Sequence, residues 1–322
     1  MTQELYSITN CKAQRDEGII STSTKTSTLS IARALDVILQ QLELAGRRER
    51  TLHEYRKWTE NYCAITGHVY LCEVSVESIY DWLNSMQTLS NSTKNIRLKS
   101  FKAILSRCYD NGWLTIKFWK AITIKVDKTV KPAATDKDVS TLLSLLNLSN
   151  WFELRDATAI LLMYRTGIRL STLSKLQEQH IDLVNGYLNL PGSIMKNHDY
   201  LKLPLDNQLI NLLKTLTEHN SNIRRHRKTR NSFVFITSNG TPVQTSFNNN
   251  VIQKRLGIYK EMLNLENIHP HALRRGYATN LMKKNAPVPL ISKALGHSSI
   301  DTTTQYLYLS KEQVAEDLKK YL

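Results

Sequence analysis

Two histidines, two arginines and a tyrosine stand at spacings that suit chemistry on a phosphodiester. His271 and Arg274 are three positions apart, and Arg169 lies far upstream. His297 follows 23 positions after Arg274, and Tyr306 comes nine positions later. Two guanidinium groups can clamp the non-bridging oxygens of a phosphate, while a nearby phenol can attack the phosphorus and form a covalent intermediate. The pattern therefore predicts phosphoryl transfer.

The order and spacing of these residues resemble the motifs of the tyrosine recombinases, also called phage integrases. Specific motifs carry the resemblance over residues 135–310, and a looser likeness extends over residues 30–120. The resemblance implies a catalytic set of six residues, namely Arg169, Lys196, His271, Arg274, His297 and Tyr306. It also implies that Tyr306 forms a 3′-phosphotyrosine and frees a 5′ hydroxyl. The bond energy is then stored, so ATP, metals and other cofactors are not needed.

The first arginine of this set lies in a stretch that resembles the family's box Thr-Gly-(Ile/Leu)-Arg-x-Ser-Glu-Leu, here residues 166–173. Gly167 permits a sharp turn, after which we expect Arg169 to begin a helix and point at the substrate phosphate. The family pattern has an acidic residue three positions after the arginine, where this chain has Thr172. This departure concerns the groups that support the arginines and the histidine, and it leaves the identification of Arg169 unchanged.

Two members of the set have a neighbouring competitor. The family's lysine sits on a β-hairpin turn and protonates the departing 5′ oxygen, and Lys196 occupies such a predicted turn. Lys202 is the alternative, but it falls within the second predicted strand, where we expect it to face solvent. Tyr308 is the alternative nucleophile, and the spacing from the preceding histidine selects Tyr306 instead.

An alternative interpretation of two histidines, His269 and His271, is that they bind a metal ion. His269 and His271 would suit a metal site, but no carboxylate or cysteine lies at an obvious ligand spacing, so we expect no metal. The family instead gives His271 a proton exchange with the tyrosine hydroxyl or a hydrogen bond to the phosphate. It gives His297 a hydrogen bond to a non-bridging oxygen.

The composition indicates a polyanionic partner. The 322-residue chain carries 43 Lys and Arg against 28 Asp and Glu, a formal net charge of +15, and nucleic acid is the commonest partner of so basic a protein. A basic protein without such a partner and a protein bound to an acidic membrane surface are the alternatives. No apolar run of about 18 residues, the length of a membrane span, is present, so we expect no membrane partner.

Location can also be predicted from the sequence. The N-terminus lacks the basic stretch and apolar core of a secretory signal. No Cys-x-x-Cys pair occurs, and the cysteines are typical of reduced thiols. We therefore expect a cytoplasmic, nucleoid-associated protein.

Apolar periodicity predicts a multidomain, mainly α fold. Residues 29–121 repeat apolar positions at intervals of three and four, which predicts an all-helical domain, by the resemblance a core-binding domain. Residues 138–309 mix helices with two strand patterns, at 187–190 and 200–204. They predict a mixed α/β domain with a small antiparallel sheet, by the resemblance a catalytic domain of the DNA breaking-rejoining type. A flexible polar arm, a basic linker and a helical tail occupy residues 1–28, 122–137 and 310–322.

Two basic stretches are candidate DNA contacts. The last helix of the first domain, with Ser92 as its predicted N-cap, has no acidic residue between Ser85 and Tyr109. This imbalance favours a phosphate-backbone contact over an ordinary solvated face. Its candidates are Lys94, Asn95, Arg97, Lys99 and Lys102. The second stretch, 224–230, is predicted to be a loop in which Arg224 and Arg225 contact DNA. A localisation-like patch or a plain solvated loop fits that composition almost as well.

These features together predict a site-specific DNA recombinase. The resemblance implies that four strands are cut and rejoined by two successive exchanges through a Holliday junction. The expected partners are double-stranded DNA with inverted-repeat sites, further copies of the chain, and accessory DNA-bending or directionality proteins. We expect a free monomer that forms a tetramer on paired sites, with the tail docked on a neighbour or on its own domain. The alternatives are a type IB topoisomerase-like enzyme and a catalytically inactive DNA-binding regulator.

Overall fold

The residues that the computed structural model describes are 29–127, 131–246 and 249–296. The chain divides into two compact units between Lys128 and Thr129. Several predicted features lie outside the described residues, namely the arm 1–28, His297, Tyr306, Tyr308 and the tail 310–322.

The regular elements described in the first unit are helices. They are α1 (Ile31–Leu44), α2 (Glu49–Thr66), α3 (Val76–Asn84) and α4 (Asn91–Asp110), with short 3₁₀ turns at Leu71–Glu73 and Phe118–Ala121. The N-cap of α4 is Ser90, whose hydroxyl accepts from the Thr93 amide at 3.3 Å. The prediction of Ser92 as the cap is wrong, because both serines precede the same apolar stripe and periodicity does not choose between them.

An aromatic cluster joins α2, α3 and α4 in the core of this unit. The ring of Tyr62 stacks on Phe101 with centroids 4.3 Å apart, and Trp82 meets Phe101 edge-on at 5.5 Å. The Tyr62 hydroxyl bonds the Ser78 hydroxyl at 2.7 Å. Burial raises the pKa of Tyr62 to about 12, so the phenol stays neutral at neutral pH. Each of these three helices therefore depends on packing against the other two.

The second unit is mainly helical with two small antiparallel sheets. Its helices are α5 (Asp136–Ser144), α6 (Trp151–Thr166), α7 (Leu170–Leu173), α8 (Asn207–Arg227), α9 (Val251–Met262), α10 (Pro270–Lys283) and α11 (Val288–Ala294). Strands β1 (Ile181–Asp182), β2 (Tyr187–Leu190) and β3 (Leu201–Pro204) form one sheet in that order, and β4 (Gln244–Ser246) pairs with β5 (Asn249–Asn250). The predicted mainly helical fold with a small antiparallel sheet is confirmed. The β4–β5 pair was not predicted.

Helix α6 is enclosed by the rest of the second unit. Twelve of its 16 residues are buried, as expected of a helix that packs on every side. Its neighbours include α8, α9 and α10. It ends where Gly167 takes a left-handed conformation, with φ of 66°, which glycine adopts without steric cost. No described helix, α6 included, is long and apolar enough to cross a membrane.

A buried carboxylate links α6 to α9. Asp156 is 1% exposed and accepts hydrogen bonds from Arg155 at 2.7 Å, Arg255 at 2.7 Å and the Tyr259 hydroxyl at 2.8 Å. Arg155 also donates to the Ile236 carbonyl at 3.2 Å. Burial and the charge of Asp156 raise the pKa of Tyr259. The phenol therefore stays protonated and donates a hydrogen bond to the carboxylate. The network satisfies a charge that would otherwise be costly to bury.

Asp156→Asn should strongly destabilise the second unit. The amide has nearly the same shape but no charge, so Arg155 remains buried without its counter-ion. We expect the free energy of unfolding to fall by about 3–5 kcal/mol, measured by urea titration of the full chain. Glu266→Gln, at an exposed position, is the control and should change it by less than about 0.5 kcal/mol. Equal stability of the two variants would contradict a structural role for the network.

Candidate active site

The predicted His271 and Arg274 lie in the first turns of α10. His269 caps this helix, with its Nδ1 accepting from the Ala272 amide at 3.3 Å, and Pro270 occupies the first helical position. Proline is favoured there because the first amides of a helix have no intrahelical partner. The local sequence therefore determines where α10 begins, and with it the positions of this histidine and arginine.

Arg274 joins three segments of the second unit. The residue is buried, and its guanidinium donates to the Gly167 carbonyl at 2.5 Å and to the Leu295 carbonyl at 2.6 Å. Gly167 caps the end of α6, and Leu295 caps the end of α11. A guanidinium can hold two carbonyls at once because its N–H groups form a rigid planar fork. The ends of α6 and α11 therefore meet on α10.

Arg169 is the N-cap of α7, three positions after Thr166, the last residue of α6. The predicted helix start at Arg169 is confirmed. The turn before it requires glycine, because a Cβ at Gly167 would collide with the ring of Tyr277 and strain the left-handed backbone. The same turn presents the Gly167 carbonyl to Arg274. The two predicted arginines are thus connected through one short turn.

The imidazole of His271 is surrounded by positive charge. Its pKa is lowered by the packing of protein around it and by the charges of Arg274, Arg275, Arg169 and Lys131. The residue nonetheless stays exposed, so part of the ring remains open to solvent. A lowered pKa keeps the imidazole neutral at neutral pH, and a neutral imidazole can accept a proton. The structure therefore brings Arg169, His271 and Arg274 into one electropositive neighbourhood.

Lys196 lies in the loop that joins β2 to β3, as predicted. Lys196 is exposed, whereas the neighbouring Met195 is buried. A Cβ at Gly296 would lie 3.2 Å from the Met195 Cε atom. The loop therefore rests against the residue that directly precedes His297.

Thr172 occupies the position of the family's acidic residue. It is buried on α7, and its hydroxyl lies 3.5 Å from the Ile194 carbonyl oxygen and 3.9 Å from the Met195 sulfur. A buried carboxylate at this point would require cationic partners, whereas a hydroxyl can donate to a carbonyl. Where the family pattern has an ionic side chain, this chain therefore has a hydroxyl that contacts the loop carrying Lys196.

The competing Lys202 is engaged on the outer face of the sheet. Its ammonium nitrogen lies 4.1 Å from the centroid of the Tyr187 ring, within the range of a cation–π contact. The residue is exposed, so the prediction that Lys202 faces solvent is confirmed.

Two predicted residues, His297 and Tyr306, fall outside the described residues. His297 directly follows Gly296, which has the predicted left-handed conformation, with φ of 58°. Only this neighbour of His297 is therefore placed. Within the described ranges, no three His, Cys, Asp or Glu side chains are grouped as metal ligands would be.

The supporting roles of two residues on α10 were not predicted from the sequence. Arg275 is 6% exposed and donates to the Pro132 carbonyl from Nε at 2.9 Å and from a terminal nitrogen at 2.6 Å. Tyr277 packs over the end of α6, and burial raises its pKa. The available signal was a second arginine directly after Arg274 and an aromatic residue, Tyr277, three positions after Arg274 on the same helix.

The structure separates the predicted DNA contacts of α4 into two groups. Arg97 lies over the ring of Trp58, 4.1 Å from its centroid, and Lys102 donates to the Ile122 carbonyl at 2.9 Å. Burial lowers the pKa of Lys102. These two cations contact the first unit itself, which does not favour their predicted DNA role. The other three candidates stay accessible, since Lys94 and Asn95 are half-exposed and Lys99 is exposed.

The predicted loop at 224–230 is wrong in its first half, since α8 continues to Arg227. Arg224 is buried and donates to the Glu178 carboxylate at 2.6 Å and to the Phe233 carbonyl. This pairing does not favour the DNA contact predicted for Arg224, whereas Arg225 is exposed. A run of cations is also favourable at a helix C-terminus, because carbonyl dipoles make that end negative. The composition alone did not distinguish this arrangement from a loop.

Comparison with known proteins identifies the family. Residues 133–313 match the phage integrase family, and the chain belongs to it. Tyrosine recombinase XerD of Staphylococcus saprophyticus is 30% identical over 195 residues, which are 60% of this chain and 63% of that protein. The chain thus spans less than two thirds of the length of this curated relative.

Two solved structures share the fold. The Tn1549 transposon integrase in complex with transposon right end DNA has a TM-score of 0.67 at 16% identity, covering 89% of this chain and 98% of that one. A lambda integrase tetramer bound to a Holliday junction has a TM-score of 0.65 at 17% identity, covering 86% of this chain and 77% of that one. At such low identity the likeness establishes the fold.

Arg274→Lys should loosen the junction of α6, α10 and α11. Lysine keeps the charge, but one ammonium cannot hold two carbonyls with the geometry of a guanidinium. One buried carbonyl then loses its donor, and we expect a loss of about 1–3 kcal/mol in the free energy of unfolding. Urea titration of the full chain measures it, with Arg225→Lys at an exposed position of α8 as the control. Unchanged stability of Arg274→Lys would refute the structural role of the two bonds.

Proposed function

We propose that the chain is a tyrosine-type site-specific DNA recombinase with Tyr306 as its nucleophile. The observation that carries the proposal is the pair of hydrogen bonds from Arg274 to the carbonyls of Gly167 and Leu295. The first of these bonds spans 107 positions of sequence. Together they bring the turn before Arg169 to the segment that leads into His297. Residues that the family uses on one phosphate are thereby held near one another.

The proposed reaction is a transesterification at one phosphodiester. Arg169, Arg274 and His297 bind the non-bridging oxygens and stabilise the charge that develops on them. The Tyr306 oxygen attacks the phosphorus, its proton passes to the neutral imidazole of His271, and the bond to the 5′ oxygen breaks. Lys196 protonates the departing 5′ oxygen. Attack by a 5′ hydroxyl from another strand reverses these proton transfers and restores the backbone.

The proposed substrate is double-stranded DNA, held by both domains. Residues 29–121 form the core-binding domain and residues 138–309 form the catalytic domain, joined in the chain by the basic linker 122–137. The net charge of +15 supports contact with a polyanion. The proposed phosphate contacts are the exposed or half-exposed Lys94, Asn95, Lys99 and Arg225.

The proposed assembly is a tetramer on paired inverted-repeat sites. Four copies exchange strands through a Holliday junction, and the free protein is a monomer. The fold shared with a lambda integrase tetramer bound to a Holliday junction supports this assembly. The tail 310–322 couples neighbouring copies, and accessory DNA-bending proteins set the direction of the reaction.

Tyr306→Phe should bind DNA but form no covalent complex, because phenylalanine keeps the ring and lacks the nucleophilic oxygen. The assay uses a nicked duplex from which the cleaved 5′ end is lost, so that the covalent complex accumulates and is seen on a denaturing gel. Tyr308→Phe is the matched control and should trap DNA as the unaltered chain does. Trapping by Tyr306→Phe and not by Tyr308→Phe would overturn the assignment of the nucleophile.

The same assay separates recombination from two other functions. A catalytically inactive regulator would bind DNA and form no covalent complex. A type IB topoisomerase-like enzyme would form the complex as a monomer, without regard to inverted repeats. Site-dependent trapping, with tetramers on two-site DNA in sedimentation, is the result expected of a recombinase.

Lys196→Ala should slow cleavage by about 10²–10⁴-fold, the usual effect of losing a general acid. A substrate with sulfur in place of the 5′ bridging oxygen should recover most of the rate, because a thiolate leaves without a proton. Lys202→Ala, on the exposed face of β3, is the control and should cleave normally. If sulfur substitution leaves the Lys196→Ala rate low, the lysine has some other role.

A further inference from the structure

Arg275 fastens the start of the second unit to α10. It is buried, and two of its guanidinium nitrogens donate to the same acceptor, the Pro132 carbonyl, at 2.9 and 2.6 Å. Pro132 lies close to the end of the predicted linker 122–137. Arg275 directly follows Arg274, so a residue that holds the incoming chain stands beside a residue of the candidate active site.

A main-chain contact continues this attachment. The amide of Ala134 donates to the carbonyl of Ala272 at 3.0 Å, and Ala272 lies between His271 and Leu273 on the first turn of α10. The approach is close, since a Cβ at Gly276 would lie 2.7 Å from the Ala134 carbonyl oxygen and would also collide with the ring of Tyr164. Glycine at this helical position therefore lets the segment lie directly on the backbone of α10.

A side-chain cluster completes the attachment further along the helix. The Asp136 carboxylate accepts from the Tyr164 hydroxyl at 2.7 Å and from the Asn280 amide at 3.1 Å. Asn280 also donates to the Tyr164 oxygen at 2.9 Å. Burial and the bond to Asp136 raise the pKa of Tyr164 to about 12, so its hydroxyl remains a donor at neutral pH. The segment Pro132–Asp136 is thus held to α10 over more than two helical turns.

We propose that Arg275 is a positioning residue for strand cleavage, which orients His271 and Arg274 by holding the segment Pro132–Asp136 against α10. A helix moves as a rigid element, so an attachment on one of its faces sets where residues on the next face point. This inference rests on the proposed recombinase function. It assigns Arg275 no contact with the phosphate.

Charge provides a second consequence that can be measured separately. The groups that lower the pKa of His271, besides burial, are Arg274 and Arg275 on its own helix, Arg169 before α7 and Lys131. His269, at the N-cap of α10, is a further titratable neighbour. Removing the Arg275 charge raises the pKa of His271, so the imidazole becomes protonated at a higher pH. Cleavage that requires neutral His271 should then be lost at a higher pH as the solution is acidified.

The test compares Arg275→Met and Arg275→Lys with Lys214→Met, which removes an exposed cation from α8. Arg275→Met should cleave the nicked duplex on the order of 10²-fold more slowly, the effect of a small misplacement of catalytic groups. Its affinity for a single site should match that of Lys214→Met. Hydrogen exchange of residues 131–136 should become about tenfold faster, while exchange in α6 stays unchanged.

Arg275→Lys separates position from charge. Lysine offers only one donor group to the Pro132 carbonyl, so we expect hydrogen-exchange rates at 131–136 and a cleavage rate between those of the unaltered chain and Arg275→Met. Lysine keeps the charge, so the pH at which cleavage is lost on acidification should not change. A purely structural role would slow cleavage by each variant only in proportion to its unfolded fraction. That result would overturn the inference, as would normal cleavage by Arg275→Met with fast exchange at 131–136.

The inference and the proposed function fail in different ways. If the unaltered chain forms no Tyr306-dependent complex, both are overturned. If the unaltered chain forms this complex and Arg275→Met does so at the same rate, only the positioning role is overturned. Should Arg275→Met fail to fold, as judged by exchange in α6, Arg275→Lys decides by the same measurements.

Discussion

The burial of one guanidinium between two helix ends is the constraint on which the candidate site depends. Arg274 donates to the carbonyls at the C-terminal ends of α6 and α11. Such carbonyls have no intrahelical donor and carry partial negative charge. A buried cation and two unsatisfied helix ends therefore compensate one another, and neither is stable without the other. These two hydrogen bonds fix the position of α10 relative to the turn before Arg169 and to the segment that leads to His297.

Within the described residues, main-chain carbonyls accept two further contacts that support the site. Thr172 offers a hydroxyl where the family pattern has an acid, and Arg275 is held by the Pro132 carbonyl. Burial lowers the pKa of His271, and the charges of Arg274, Arg275, Arg169 and Lys131 lower it further. The surroundings of this imidazole are therefore electropositive. An anion bound there would relieve this repulsion.

The sequence predicted those features that depend on local chemistry. Gly167 marks the end of α6, Pro270 marks the start of α10, and Gly296 has the left-handed backbone expected of it. These features were predictable because the backbone preferences of glycine and proline act at single positions. The two strands were predicted from their local residue pattern, and the family resemblance assigned the lysine to the turn between them. Partners distant in sequence were not predictable: a list of cations does not reveal that Arg97 lies on Trp58 or that Arg224 pairs with Glu178. Several cations of the predicted DNA-contact stretches therefore have partners within the fold, and only the packed structure shows which ones.

The carboxylate buried in α6 has a consequence for how the protein is made. Two partners of Asp156, Arg255 and Tyr259, lie 99 and 103 positions later in the chain. During synthesis α6 leaves the ribosome long before α9, so the nascent helix carries a charge that it cannot yet bury. The first unit contains its own core and can fold while the second is still being translated. The hydrogen bonds from α9 to Asp156 can therefore form only late in synthesis, after Tyr259 has been added to the chain.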